Sequence, residues 1–200
     1  DNLAKDSALQ EKRNKLRKEA VEAASEYEEV LFIGGLNHDY DVEGYDREDM
    51  ILPYGQDEVI QQVLKANPNT VVILSAGAPV EMKSWVNDAK ALVWNWYAGM
   101  EGGTALAEVL LGEVNPSGRL PETFPLTHLD CPATRLGEFP GKEKVCYREG
   151  IYVGYRYYDT YEIEPQFCFG YGLSYTEFTC RNLEISDNSS AFSGVCLPGR

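Results

Sequence analysis

The chain reads as an α/β protein: a mostly parallel sheet sandwiched by helices, with a tyrosine-rich segment towards its C-terminal end. Three observations predict this. The short apolar runs Val30–Ile33, Thr70–Leu74 and Ala91–Trp94 show no polar alternation, as strands covered on both faces do not. Segments with helical apolar spacing alternate with them, and that alternation favours parallel pairing. Turn residues mark the joints, at Asn67-Pro68 and Asn115-Pro116-Ser117-Gly118.

Taken in order, Leu16, Ala20, Ala23, Ala24 and Tyr27 recur at helical spacing and predict a helix that lays one face on the sheet. Lys5–Lys15 is mostly polar and predicts a solvated extension or a frayed lead-in. Val30–Ile33 is expected as a buried strand. Asp57–Ala66 carries Val59, Ile60, Val63 and Leu64 on one side and predicts a helix ending before Asn67-Pro68. Thr70–Leu74 is the clearest strand, and Ala91–Trp94 leads into a loop over 96–103. A helix follows over Thr104–Leu111 with Gly112 as its stop, and Arg119–Phe124 is expected to return as a strand.

Leu126–Lys144 is rich in proline, glycine and charge and reads as a long surface loop. Eight of the 13 tyrosines lie between Tyr147 and Tyr175. Stacked aromatics can serve as sugar platforms, but Tyr152, Tyr155, Tyr157 and Tyr158 read better as half-buried packing residues on an extended segment. The tail from Asp187 to Arg200 is expected to lack fixed structure. The predicted units are a helical lead-in at 1–28, an α/β core at 29–125, a loop and tyrosine-rich segment at 126–178, and a terminal piece at 179–200.

Two hundred residues, 44% of them hydrophobic, are enough for a sizeable core. The 18 Lys and Arg against 32 Asp and Glu leave a net charge of −14. That field repels phosphate backbones and anionic lipid, so neither nucleic acid nor a membrane surface is expected as a partner; a neutral sugar is indifferent to it. The N-terminal residues do not form a signal peptide, and the missing initiator Met predicts a start inside a larger protein. Five cysteines (Cys131, Cys146, Cys168, Cys180, Cys196) show neither zinc spacing nor a Cys/His catalytic pattern. They read as buried free thiols with room for one disulfide.

Chemistry concentrates in Gly35–Arg47, where Asp39, Asp41, Glu43 and Asp46 fall within eight residues just after a strand. Ligands bind beyond the carboxyl ends of parallel strands, and crowded carboxylates disfavour one another's ionised form. A carboxyl group still protonated near neutral pH can act as a general acid. The plainer readings are a solvated acidic turn or a divalent-metal loop, although the twelve-residue calcium pattern with its terminal Glu is missing. No metal or organic cofactor is indicated.

The run Gly35-Leu36-Asn37 through Glu43-Gly44-Tyr45-Asp46-Arg47 and Met50-Ile51-Leu52-Pro53 resembles the C-terminal domain of glycoside hydrolase family 3 β-glucosidases. Further blocks match in order: Asn67–Val72, Gly77-Ala78-Pro79-Val80, Trp96–Gly103, Asn115–Pro121 and Phe169–Thr176. Together they span roughly residues 17–180. The resemblance implies an α/β sandwich present here only in part, and a fibronectin-III-like domain opening near Cys180–Ile185. It also implies a retaining mechanism with two carboxyl groups about 5–5.5 Å apart. The family's nucleophile is an Asp in a Ser/Thr-Asp-Trp pattern on an N-terminal barrel, and that tripeptide does not occur here.

By position in its motif, Glu43 is then the acid/base residue, with Asp41 and Asp39 as alternatives. Gly44 is expected to allow a tight turn, Tyr45 to hydrogen-bond the carboxyl group or shape the leaving-group side, and Asp46 and Arg47 to form a local salt bridge. Tyr171, with Tyr175, is expected to order a loop at the rim of the site and to contact substrate. Glu101 reads as a helix-capping carboxylate, Trp85 and Trp94 as core, Trp96 and Tyr97 as either cleft wall or core, and His38 as an exposed loop residue. The implied partners are a β-glucoside or short oligosaccharide, the barrel of the same enzyme and, since dimers are common in that family, a second copy of the chain. A reading from a different class is a non-catalytic module that binds glycan or protein on the same fold.

Overall fold

The computed structural model describes residues 7–141 and 143–184 and the backbone of 196–198. Helix α1 (Ser7–Glu26) precedes strand β1 (Val30–Gly35). Helix α2 (Gln56–Ala66) joins it to β2 (Thr70–Ser75), and β3 (Ala91–Trp94) leads to α3 (Gly102–Leu110). The three strands form one parallel sheet in the order β1-β2-β3, with Phe32 opposite Val72 and Val72 opposite Leu92. Parallel pairing needs a crossover of a dozen or more residues between strands, and the lengths of the β1–β2 and β2–β3 connections provide it. The expected α/β class is therefore present: a parallel sheet with helices.

Central strand β2 is sealed: Val72, Ile73 and Leu74 have no exposed surface. Val72 and Leu74 form one core cluster with Ile60 and Leu64 of α2 and the loop residues Leu52, Val80, Met82 and Trp85, and Ile73 is buried outside it. Each such side chain contributes about 1.5–3 kcal/mol through burial. The Trp85 indole donates to Asp57 Oδ1 at 2.7 Å, which joins the core to the first turn of α2. Burial raises the Asp57 carboxyl above its ordinary value of 3.8. A carboxyl with a raised folded pKa stabilises the fold below its unfolded value and loses that contribution as pH rises through the folded one. Asp57→Asn keeps an acceptor for Trp85, so relative to the parent this variant is expected to gain stability as pH rises from about 4 to 7. Melting temperatures across that range check it.

Several elements differ from expectation for identifiable reasons. β1 is an edge strand, and Leu31 (55% exposed) and Ile33 (67% exposed) leave one of its faces open, so it is not the buried strand its apolar run implied. Helix α1 extends through Lys15, but of its expected sheet-facing positions only Ala24 is buried; Leu16 and Tyr27 are exposed. α1 packs on α2 instead, and Ala20, Ala23 and Tyr27 border an open groove of about 360 Å³ beside Val30 and Leu31. Residues 119–124 do not form a strand. They make scattered bonds to 166–171, such as Phe124 N to Phe167 O at 2.8 Å, because Pro121 has no N–H to give to a ladder.

The 126–144 segment contains a 3₁₀ turn at His128–Asp130 and the short helix α4 (Pro132–Arg135). Thr127 and Asp130 form a capping box, a signal present in the sequence as Thr-x-x-Asp. The tyrosine-rich stretch forms helix α5 (Tyr155–Thr160) rather than an extended segment, with Tyr157 and Tyr158 buried and Tyr155 exposed. Cys131 and Cys146 are half-buried free thiols, while Cys168 is free but exposed, contrary to expectation. At the C-terminal end β4 (Phe178–Cys180) pairs antiparallel with β5 (Cys196–Pro198). The rest of the tail expected to lack structure lies outside the described residues.

Asn67, which closes α2, is buried. Its side-chain amide donates to the carbonyls of Ala24 at 3.0 Å and Tyr27 at 2.7 Å, and its Oδ1 accepts from the Asn69 N–H. One side chain thereby ties the end of α1 to the start of β2. Asn67→Ala leaves one buried and one half-buried carbonyl without these donors and is expected to cost about 1–3 kcal/mol, measured as a fall in unfolding temperature.

Candidate functional site

Strand β1 ends at Gly35, and its last peptide is held from the open edge. Gln56 Oε1 accepts from Gly35 N–H at 2.9 Å, and Gln56 Nε2 donates to Gly35 O at 2.8 Å, so one side-chain amide occupies the position of a neighbouring strand. The chain then enters the acidic loop. Asn37 starts it as an Asx turn, its Oδ1 accepting from Asp39 N–H at 3.1 Å while its carbonyl accepts from the N–H groups of Tyr40 and Asp41. At the tip, Val42 and Tyr45 form an antiparallel bridge with Glu43 and Gly44 between them. Glu43 thus sits at the apex of a two-residue turn, beyond the carboxyl edge of the sheet.

The four carboxylates are not equivalent. Tyr54 OH donates to Asp39 Oδ2 at 2.9 Å and itself accepts from Asn37 Nδ2 at 3.0 Å. Tyr97 OH donates to Asp41 Oδ2. Glu43 is exposed and makes no hydrogen bond or ion pair among the described residues. Arg47 reaches neither Asp46 nor Glu43. The expected Asp46–Arg47 salt bridge is absent because the guanidinium turns to the Pro79 carbonyl, 3.1 Å from Nη2. Gly44 does not adopt a left-handed φ, and a Cβ there meets nothing within 4 Å. The turn therefore does not require glycine, and the role expected for it is corrected.

Tyr45 is 83% exposed beside Glu43. Tyr171 belongs to a different cluster. Its ring lies 5.0 Å from Phe167, which meets Phe124 edge-on, and Phe124 in turn meets Trp94 and Trp96. No hydrogen bond or ring contact joins Tyr171 to the acidic loop. Tyr175 donates through its hydroxyl to Val109 O at 2.8 Å and so holds the end of α3. Glu101 is the N-cap residue of α3 but makes no side-chain bond to the helix backbone; its carboxylate accepts from Thr104 Oγ1 at 3.2 Å. Trp85 is core, as expected, whereas Trp94 and Trp96 are only partly buried. His38 is exposed.

Sequence reading missed Tyr54, Gln56 and the reach of Tyr97. Tyr54 carries a left-handed φ of 63° next to Gly55 at 73°, and Pro53-Tyr54-Gly55 was a visible turn signal. Nothing comparable marks Gln56 or Tyr97, because their partners lie across space rather than along the chain. Among the described residues, no group of three or more His, Cys, Asp or Glu is arranged to hold a metal ion. Likewise, no helix is long and apolar enough to cross a membrane.

Residues 3–155 match the family model described as the glycosyl hydrolase family 3 C-terminal domain. The chain belongs to glycoside hydrolase family 3. Its similarity to other members of the family is high. It is 49% identical over 168 residues to a β-glucosidase of Bacteroides ovatus and 47% identical over 167 residues to a probable β-glucosidase I of Aspergillus flavus. These alignments cover 82% and 84% of this chain but 22% and 20% of those relatives. The crystal structure of the Kluyveromyces marxianus β-glucosidase in complex with glucose is similar with a TM-score of 0.81 and 43% identity, over 87% of this chain and 21% of that one. The Bifidobacterium adolescentis family 3 β-glucosidase gives 0.82 and 40%, over 88% and 26%. The chain thus spans about a fifth to a quarter of the length of the relatives it matches.

Proposed function

We propose that this family 3 domain supplies the acid/base carboxyl of a retaining exo-β-glucosidase, with Glu43 in that role and the attacking Asp on a barrel of the same enzyme. In this reading Glu43 protonates the glycosidic oxygen as the C1–O bond breaks and the Asp carboxylate bonds to C1. It then takes a proton from the water that releases the sugar. Tyr45 flanks the leaving group, and Tyr171 lines the rim on the side of the Phe124–Phe167 cluster. Neutral β-linked glucosides or short oligosaccharides are the substrates, consistent with the β-glucosidase names of the relatives.

One observation carries the reading. Of the carboxylates in the loop, Asp39 and Asp41 are each engaged by a tyrosine hydroxyl, while Glu43 and Asp46 are unpartnered and, of these two, Glu43 stands at the turn apex. A general acid must reach the leaving oxygen at hydrogen-bond distance, and a carboxyl that no neighbour holds can do so. Activity of a barrel-containing enzyme carrying Glu43→Ala, with and without azide, tests it. Unchanged activity sinks the assignment and moves the acid/base role to Asp41 or Asp39.

A further inference from the structure

The geometry points to Tyr97, Asp41 and Gly77 as a positioning unit for Glu43, an inference that rests on the acid/base reading above and deepens it. The unit draws on the C-terminal ends of all three strands. Asp41 lies on the loop after β1, Gly77 just after β2 and Tyr97 just after β3. Tyr97 OH donates to Asp41 Oδ2. Partial burial of a side chain that is still 55% exposed, together with this hydrogen bond, holds the tyrosine above its ordinary pKa, so it remains the donor.

Two independent features show that the contact is built into the backbone. Trp96, immediately before Tyr97, has a left-handed φ of 48°, a conformation costing about 1–3 kcal/mol in a non-glycine residue and found where surrounding structure enforces it. The Tyr97 ring also lies directly on Gly77. A Cβ built there falls 2.7 Å from Tyr97 Cε2 and 3.2 Å from Asp41 Oδ2, so any side chain at 77 displaces both partners.

The same post-β2 segment anchors the other leg of the loop, through Arg47 Nη2 to Pro79 O at 3.1 Å. Glu43 therefore stands on a turn with both legs held, Asp41 by Tyr97, whose ring lies on Gly77, and Arg47 by the Pro79 carbonyl. Asp41 thus acts through the loop and does not itself exchange a proton with substrate. A general acid must meet the leaving oxygen at hydrogen-bond distance, and a misplacement of about 1 Å can cost on the order of a hundredfold. A two-point anchor supplies that placement.

The test uses the complete barrel-containing enzyme with two substrates, methyl β-glucoside and 2,4-dinitrophenyl β-glucoside. Protonation matters for the first and little for the second, whose departing phenolate is already stable. Tyr97→Phe removes the hydroxyl and keeps the ring; Gly77→Ala leaves both partners chemically intact but pushes the ring away. Both variants are expected to lose roughly tenfold or more in kcat/KM on the methyl glucoside, with a loss on the dinitrophenyl glucoside at least several-fold smaller. Equal losses on the two substrates, or no loss, overturn the inference. Glu43→Ala is assayed in parallel: if it shows the selective loss while Tyr97→Phe and Gly77→Ala do not, the acid/base reading stands and only the positioning unit fails. If Glu43→Ala shows none, that reading fails first.

Discussion

Replacing Glu43 with alanine in the barrel-bearing enzyme is expected to lower kcat/KM on an alkyl β-glucoside by about 10²–10⁴-fold, the usual worth of a positioned proton donor. The effect should depend on the leaving group. A poor leaving group departs as an alkoxide unless it receives a proton, so its C1–O cleavage bears the whole loss. A dinitrophenolate leaves unaided, so glycosylation stays fast and the glycosyl-enzyme accumulates, because no base then activates water. Azide attacks the anomeric carbon without needing a base and should restore turnover, with β-glucosyl azide as product. Retention of configuration in that product would also report the covalent intermediate. If the azide product does not form and activity on the alkyl glucoside is intact, the proton comes from another residue; Asp41→Asn and Asp39→Asn are then the variants to assay.

Gly35→Ala is expected to be the most damaging single change in the sheet. The residue has a φ of 135°, and a Cβ built on it falls within 1.9 Å of the Ser75 carbonyl oxygen and 2.7 Å of its carbon. Both are backbone atoms, so no rotamer change relieves the clash. The methyl must push β1 from β2 at their last register pair, Gly35 with Ser75. Backbone strain of about 1–3 kcal/mol adds to an overpacking cost of similar size. The two-sided clamp from Gln56 onto the Gly35 peptide is lost with it. A sharp fall in melting temperature, with activity lost in the fraction that still folds, is the expected result; unaltered melting would show that the strands separate here without cost. Gly44→Ala on the same loop is the contrast, because a Cβ at that position meets nothing.

The elements differ in how much of them is written in local sequence. β2 was legible because Thr70–Leu74 is a continuous β-branched run, and both its faces are covered. The end of α2 was legible because Asn67-Pro68 cannot continue a helix, and the stop of α3 because Gly112 takes a left-handed φ of 77°. β1 was misjudged because an apolar run reports what a strand could bury, not whether a neighbour arrives to cover it. Residues 119–124 looked like a strand from composition, while Pro121 silently removed a donor. The tyrosine-rich helix α5 was missed because aromatic residues favour extended backbone only weakly, and tertiary packing of Tyr157 and Tyr158 overrode that preference.

For the site, the acidic loop, its place after β1 and the candidate Glu43 all came from local order along the chain. The division of labour among the carboxylates did not. Asp39, Asp41 and Glu43 are near-equivalent in the sequence, and what distinguishes them is that Tyr54 and Tyr97, 15 and 56 residues away, reach the first two and not the third. Sequence adjacency pairs Arg47 with Asp46, yet it binds a carbonyl 32 residues on. The class of fold, the family and the loop proposed to carry the acid/base carboxyl are all written in short-range pattern. Which carboxyl is tethered and which is free depends instead on contacts made across space. Hydrogen bonds act over about 3 Å of space, and parallel strands bring together chain segments that no local pattern relates.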